Sequence, residues 1–321
     1  MKVVVTGAAG FVGSHLSEEL CRCGFDVLGI DCMTDYYDPM EKRANLLTLS
    51  QLDTFEFKEL DLRTADLRAA LEGAEVVFHQ AGQPGVRGSW ADGFDAYCEH
   101  NVKATQRLLE AAKDVRTSRV VYASSSSVYG NALSYPTFET DVPSPHSPYG
   151  VTKLAAEHLC TLYAANWGVP TVSLRYFTVY GPRQRPDMAI RRLADAAVGG
   201  TPFSLFGDGR QVRDFTFVSD VVAANMAAAF EDVPPGTVIN IAGGSHAVMA
   251  DVISLIGELA GSRVDLQRAP KEAGDVQRTG GSTERARELL DWEPRVSLRE
   301  GLAATVDWAR SAHESVAAQV A

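Results

Sequence analysis

Cysteine is scarce in this chain, and what there is does not pair. The five cysteines (Cys21, Cys23, Cys32, Cys98, Cys160) are odd in number and scattered. Cys21 and Cys23 stand two apart on a predicted helix and so point to different sides. Reduced thiols in a cytoplasm are expected, not a disulfide framework. No H-E-x-x-H occurs among the histidines and no Cys/His spacing suits zinc, which sets metal chemistry aside. Cationic excess is absent too: 30 Lys and Arg face 41 Asp and Glu, a formal charge of −11. That balance excludes nucleic acid or an anionic membrane as the main partner and confines any anionic ligand to a local basic pocket. No apolar run reaches membrane-spanning length, and the start of the chain shows no basic segment followed by an apolar one, so no secretory leader is expected. Repeats, low-complexity tracts and long linkers are also missing. What remains is the composition of a globular protein, 321 residues with 45% hydrophobic and 22% charged, long enough for one large domain or two small ones.

The stretch with most chemistry is Ser147-Pro148-Tyr149-Gly150-Val151-Thr152-Lys153. Ser147 can cap a helix, and Pro148 suits its first position, where a missing N–H leaves nothing unpaired. Tyr149 and Lys153 then share a face one turn apart. An ammonium there is expected to lower the phenol's pKa from near 10, making Tyr149 a general base for an alcohol. Such pairs also arise by chance on exposed helices, so the rest of the chain must supply a partner.

The N-terminal third supplies one. A β-branched run, Lys2 to Thr6, enters Gly7-Ala8-Ala9-Gly10-Phe11-Val12-Gly13, then a helix through about Cys23, then a strand from Val27 to Ile30 closing on Asp31. This is a βαβ unit: Gly7 for a tight turn, Gly10 for backbone approach to a pyrophosphate, Gly13 for helix packing. Asp31 falls where a carboxylate binds the adenosine ribose and repels a 2′-phosphate, favouring NAD over NADP. Further strands are expected at Phe55–Leu60, Glu75–His79, Arg119–Ala123 and Thr171–Tyr176. The first ends on Asp61-Leu62, where Asp61 either meets the adenine amine or caps the following helix. The second opens into Gln80-Ala81-Gly82 and on to Arg87. A helix over Phe94 to Lys113 carries Asn101 inward. The strand at Arg119–Ala123 empties into Ser124-Ser125-Ser126-Ser127 at the edge where ligands bind, so one serine can share the hydroxyl that Tyr149 deprotonates.

Past Gly181 the alternation breaks. A basic loop (Arg183 to Met188), a helix to about Val198, a short strand over Thr201–Phe206 and a Gly207-Asp208-Gly209 turn follow. A segment near 214–242 looks like a return to the first unit, and the tail reads as helices with one strand near Val264. The expected architecture is α/β, a Rossmann-like doubly wound parallel sheet over 1–180 with the returning segment, plus a smaller, mostly C-terminal α/β substrate domain from 181–213 and 243–321.

Taken together, Gly7-x-x-Gly10-x-x-Gly13, Tyr149-x-x-x-Lys153 and the upstream serine resemble the extended short-chain dehydrogenases, the nucleotide-sugar epimerases and dehydratases. The likeness runs through the tail, including Asp291-Trp292-Glu293-Pro294. Asp35-Tyr36-Tyr37-Asp38-Pro39, Gly85-Val86-Arg87 and Arg175 to Pro182 running on to Arg185-Pro186-Asp187-Met188-Ala189 resemble UDP-glucuronate 4-epimerases most, with an antibiotic-sugar pathway of the moenomycin type as one setting. The resemblance implies catalysis by Tyr149, Lys153 and Ser125. It implies NAD held by Gly7, Gly10, Phe11, Val12, Gly13, Asp31, Asp61, Leu62, Gln80, Ala81, Gly82, Asn101, Ala123, Ser124, Tyr149, Lys153, Tyr176, Thr178 and Val179. A UDP-sugar would meet Arg87, Ser125, Ser126, Ser127, Tyr149, Thr178, Arg185, Ala189, Arg192, Phe206, Arg213, Asp275 and Arg278.

In that scheme UDP-glucuronate and UDP-galacturonate interconvert through a 4-keto sugar that turns over about its diphosphate bonds. Thr178 and Arg185 would grip the carboxylate, although Arg185 could instead be a surface charge or touch the diphosphate. Arg213 and Arg278 are the diphosphate candidates, Phe206 would stack on uracil and Asp275 would bind ribose. Related decarboxylases carry Glu at the Ser127 position, dehydratases carry Asp-Glu at Ser126-Ser127, and galactose epimerases usually carry Asn at Thr178. A neutral-sugar 4-epimerase, a UDP-glucuronate decarboxylase and a non-catalytic NAD-binding scaffold are the competing readings. Arg183-Gln184 departs from the Trp-Gly usual in the family, and Gly82 and Pro84 replace alanines. A homodimer packed through the helices near 94–113 and 149–167 is implied by resemblance alone.

Overall fold

The computed structural model describes residues 1–320. Twelve strands follow in order: β1 (Lys2–Thr6), β2 (Asp26–Asp31), β3 (Phe55–Glu59), β4 (Val76–His79), β5 (Arg119–Ser125), β6 (Thr171–Tyr176), β7 (Thr178–Tyr180), β8 (Phe203–Phe206), β9 (Val212–Phe217), β10 (Thr237–Ile241), β11 (His246–Val248) and β12 (Leu266–Ala269). Seven form one parallel sheet in the order β10-β6-β5-β4-β1-β2-β3. The order reverses between β1 and β4, so a crevice opens at their carboxyl ends.

Alternation within β1 shows why both faces of the sheet are covered. Val3 and Val5 pack with Leu16 and Leu20 of the helix Phe11–Arg22 and with Val218 and Val221 of the helix Val218–Phe230. Val4, on the other face, joins Leu108 of the helix Ala104–Val115 and Ala156 and Cys160 of the helix Pro148–Trp167. A parallel strand buried on both sides has no polar face to alternate, hence its unbroken valines. The doubly wound sheet expected from the sequence is the fold observed.

A second core gathers Ile190, Leu193, Phe203, Phe215, Ile256 and Leu302, beneath two small sheets, β11-β9-β7 and β12-β8. The expected return to the main sheet divides here. The helix Val218–Phe230 and β10 do return, but β9 pairs with β7 and β11. The buried Asp214 carboxylate on β9 accepts from the amides of Gly243 and Gly281, tying β9 to the turn after β10. The strand near Val264 appears slightly later, as β12 parallel to β8. The helix expected over 94–113 is interrupted by a π-helical turn, Cys98–Lys103. Among the described residues, no helix is long and apolar enough to cross a membrane.

Candidate active site

The switch point opens into a cleft of about 830 Å³ that runs from the glycine turn to Phe206 and Arg213. At one end, Gly7 has φ +72°, and a Cβ there would fall 2.8–2.9 Å from the backbone of Gln80 and Ala81. At Gly13 a Cβ would run into the Gly7 carbonyl. The helix that follows starts at Gly10 with no side-chain cap and no acid in its first turn. Its unpaired N–H groups and positive dipole end are left for an anion. The glycine turn, the uncapped helix and Asp31 at the end of β2 fit a dinucleotide pyrophosphate and ribose.

Several expected cofactor contacts already have protein partners. Asp31 is buried and sits 3.3 Å from the Lys42 ammonium, which also donates to Thr34. The carboxylate therefore does not stand alone against a 2′-phosphate. Asp61 caps no helix: that role falls to Asp66, whose carboxylate accepts from Arg68 and Ala69. Asp61 instead takes a bidentate fork from Arg63 at 2.7–3.0 Å, which holds its pKa below the usual carboxylate range. Asn101 lies off the cleft. Its amide is consumed by Gln83 and by Thr152 at 3.0 Å, so the π-helical turn ties the loop after β4 to the helix of Tyr149. Ser124 lines the cleft, but its hydroxyl donates back to Glu157 at 2.6 Å. Tyr176 and Gln80 are fastened from behind by Asn225.

Ser147 caps the helix Pro148–Trp167 by accepting from Gly150 at 3.1 Å, and Gly168 ends it in the left-handed region. Tyr149 is thereby aimed into the cleft, its ring edge-on to Tyr97 at 6.1 Å. Burial raises its pKa above 10, and the Ser125 hydroxyl and the Arg185 guanidinium oppose that rise. Lys153 follows one turn along the same helix. It is buried over the Tyr122 ring at 4.9 Å, and burial lowers its own pKa to about 8. Ser125 also accepts from the Ser127 amide at 3.2 Å. Beneath these serines lies a buried chain in which Arg175 donates twice to Glu157 (2.6 and 2.9 Å) and once to Tyr129, which donates to Asn240.

At the far end, Arg87 lies 3.9 Å over the Phe206 ring and 3.4 Å from Asp275, bridging the large and small sheets. Arg213 turns toward the backbone carbonyls of Val212 and Gln277, and Arg192 stacks on Phe203. Arg278 is outside the cleft, packed over Tyr135 at 4.8 Å. Arg185 meets Asp187 at 3.0 and 3.1 Å. Its loop is fixed to the glycine-turn helix, because Arg183 donates to Glu18 and Ser14, and His15 meets the Pro182 carbonyl at 3.0 Å. The other expected residues (Phe11, Val12, Leu62, Ala81, Gly82, Ala123, Ser126, Ser127, Thr178, Val179, Ala189) all line the cleft.

Residues 3–242 match the NAD dependent epimerase/dehydratase family. The chain belongs to that family. It is 43% identical over 98% of its length to a Bacillus subtilis protein named as an uncharacterized UDP-glucose epimerase, covering 99% of that protein. A Bacillus cereus UDP-glucuronic acid 4-epimerase solved with UDP-glucuronic acid and NAD is 40% identical, with a TM-score of 0.94 over 97% of this chain and all of the other. MoeE5, solved with UDP-glucuronic acid and NAD, is 43% identical with a TM-score of 0.89 over the same shares. It has also been solved with UDP-glucose and NAD.

Sequence reasoning assigned no role to several residues of this epimerase-family cleft. Tyr36, Tyr37 and Lys42 enter it from the segment around Asp38, which caps the helix Pro39–Leu49 by accepting from Met40. The Asp-x-x-Asp-Pro run carried a helix-start signal, but nothing local reveals that the helix faces Asp31. Asp187 stands two residues from Arg185, and only the fold shows that the two pair.

Proposed function

We propose that the protein interconverts UDP-glucuronate and UDP-galacturonate by transient oxidation at C4, with NAD kept in the cleft through the cycle. The observation that carries this reading is the meeting of the Tyr149 phenol, the Ser125 hydroxyl and the Arg185 guanidinium in one cleft. Gly7, Gly10 and Gly13, the start of the helix Phe11–Arg22, and Asp31 with Lys42 would hold the cofactor. When bound, NAD supplies a hydride acceptor and later donor facing C4. Tyr149 takes the proton of the 4-hydroxyl, Ser125 donates to the same oxygen, and the buried Lys153 keeps positive charge beneath them. The ketone so formed in a uronate is a β-keto acid, which loses CO₂ when its carboxylate bond stands perpendicular to the ketone plane. Arg185 and Thr178 hold the carboxylate away from that orientation by charge-assisted hydrogen bonding. Ser126 and Ser127 offer no carboxyl group to drive decarboxylation or dehydration.

Arg87, Phe206, Arg213 and Asp275 take the UDP moiety, with residues 181–213 and 243–321 as the sugar-nucleotide domain. A cytoplasmic homodimer belongs to the same reading: Val151, Leu162 and Trp167 are exposed on the outer side of the Tyr149 helix. The second reading, a neutral UDP-sugar 4-epimerase, is favoured by the neutralisation of Arg185 by Asp187. Proton NMR of purified protein with UDP-glucuronate or UDP-glucose, without added NAD, separates the two. UDP-galacturonate alone supports the proposal. A pentose product with CO₂, or turnover of UDP-glucose only, rejects it.

A further inference from the structure

The geometry points to Asp187 as a specificity-determining residue that never touches the sugar: it lends Arg185 a carboxylate which a uronate replaces and a neutral sugar leaves in place. This rests on the uronate reading above and adds to it how the site sets its preference. Arg185 is mostly buried and its fork is already matched by Asp187, Nε to Oδ1 at 3.0 Å and Nη2 to Oδ2 at 3.1 Å. A Tyr36 hydroxyl stands 3.4 Å from the same Oδ2, so the carboxylate is held by two neighbours. Its side chain is 36% exposed against 17% for Arg185, so Asp187 can turn to water while the guanidinium cannot.

Two consequences follow from charge alone. A carboxylate-bearing sugar competes with Asp187 for one guanidinium, which weakens uronate binding relative to an unpaired arginine. A neutral sugar brings no counter-charge, and Asp187 spares it the penalty of a buried, unmatched cation. Asp187 therefore broadens the substrate range at the expense of uronate preference. The pair also reaches the base, because Arg185 is the cation that favours the Tyr149 phenolate. The other titratable groups facing that phenol are Tyr36, Tyr97 and Tyr122 from neighbouring elements and Lys153 from its own helix. Asp187 offsets the charge of Arg185, so its removal strengthens the pull on the phenol.

The test is Asp187→Asn, with Asp187→Glu as the variant that keeps the charge, each assayed with UDP-glucuronate and UDP-glucose across pH. In Asp187→Asn the ratio of kcat/KM for the uronate over the neutral sugar rises about tenfold, mainly through a lower KM for the uronate. The acid limb of kcat moves to lower pH with UDP-glucose, where no substrate carboxylate takes over from Asp187. Asp187→Glu restores both towards wild type. A fall in uronate efficiency would make Asp187 a mere prop for Arg185 and overturn the inference. An unchanged ratio with an unchanged pH limb does so as well. Failure of the wild-type protein to turn over UDP-glucuronate strikes the proposed function itself, and in that case the pH limb measured with UDP-glucose still decides whether Asp187 governs Arg185.

Discussion

Replacing Glu157 by Gln puts the buried chain under the serines of the cleft to the test. The Glu157 and Arg175 side chains are 2% and 4% exposed, and two charge-assisted hydrogen bonds join them. Removing one partner of such a pair leaves the other charged in the interior, which costs about 3–5 kcal/mol. For a chain this long the unfolding entropy is roughly 0.7 kcal/mol/K, so the melting temperature falls by about 4–8 °C. The same carboxylate accepts from Ser124, the neighbour of Ser125, so kcat falls about tenfold even where the protein stays folded. Calorimetry of the wild type, Glu157→Gln and the paired Glu157→Met/Arg175→Met variant reads the first effect. The paired variant regains most of the loss, because neither charge is then left unmatched. A Glu157→Gln protein melting within 1 °C of wild type, or a paired variant losing as much as both single changes summed, would refute the reasoning.

Tyr149→Phe keeps the ring and its packing on Tyr97 but removes the base, so kcat drops by about 10²–10⁴ while melting and retained NAD, read by absorbance after denaturation, stay unchanged. Arg185→Ala lowers kcat/KM for UDP-glucuronate by about 10–100-fold, and lowers UDP-glucose turnover by a smaller factor with its acid limb moved to higher pH, because a charge that favours the Tyr149 phenolate is gone. Asp214, buried and raised from 3.8 to about 7, binds its proton more tightly folded than unfolded. Its contribution to stability is therefore fullest below pH 4 and is lost as pH rises to about 7, by as much as ~4 kcal/mol. The melting difference between wild type and Asp214→Asn then shifts against the wild type from pH 5 to pH 8, and a constant difference would rule this out.

The parallel strands and the glycine turn were legible because each is a local pattern: a β-branched run ending in small residues predicts its own strand and turn. The start of the Tyr149 helix was legible in Ser147 and Pro148; its end at Gly168 is shown by the structure. Partners distant in sequence were not. Nothing near Asp31 announces Lys42, whose helix packs against the glycine-turn helix, and nothing near Arg87 announces Phe206 and Asp275. The inward turn of Asn101 was foreseen, but a π-helical turn spends its amide on Gln83 and Thr152. Periodicity likewise placed Lys153 one turn below Tyr149 but could not tell that burial lowers the ammonium's own pKa to about 8. The pairing of β9 escaped because a half-buried strand reads alike in any sheet.

The fastening of the Arg185 loop to the glycine-turn helix, through Arg183 and His15, gives the cleft a fixed gauge length. The guanidinium proposed to meet the sugar carboxylate is referenced to the same helix that begins at the proposed cofactor cradle, not to the small sheets beside Phe206 and Arg213. The rotation that epimerisation requires falls to the sugar, turning inside a frame that holds still. A change at Arg183, far from any reacting atom, would appear as a loss of alignment in turnover before it appeared as a loss of binding.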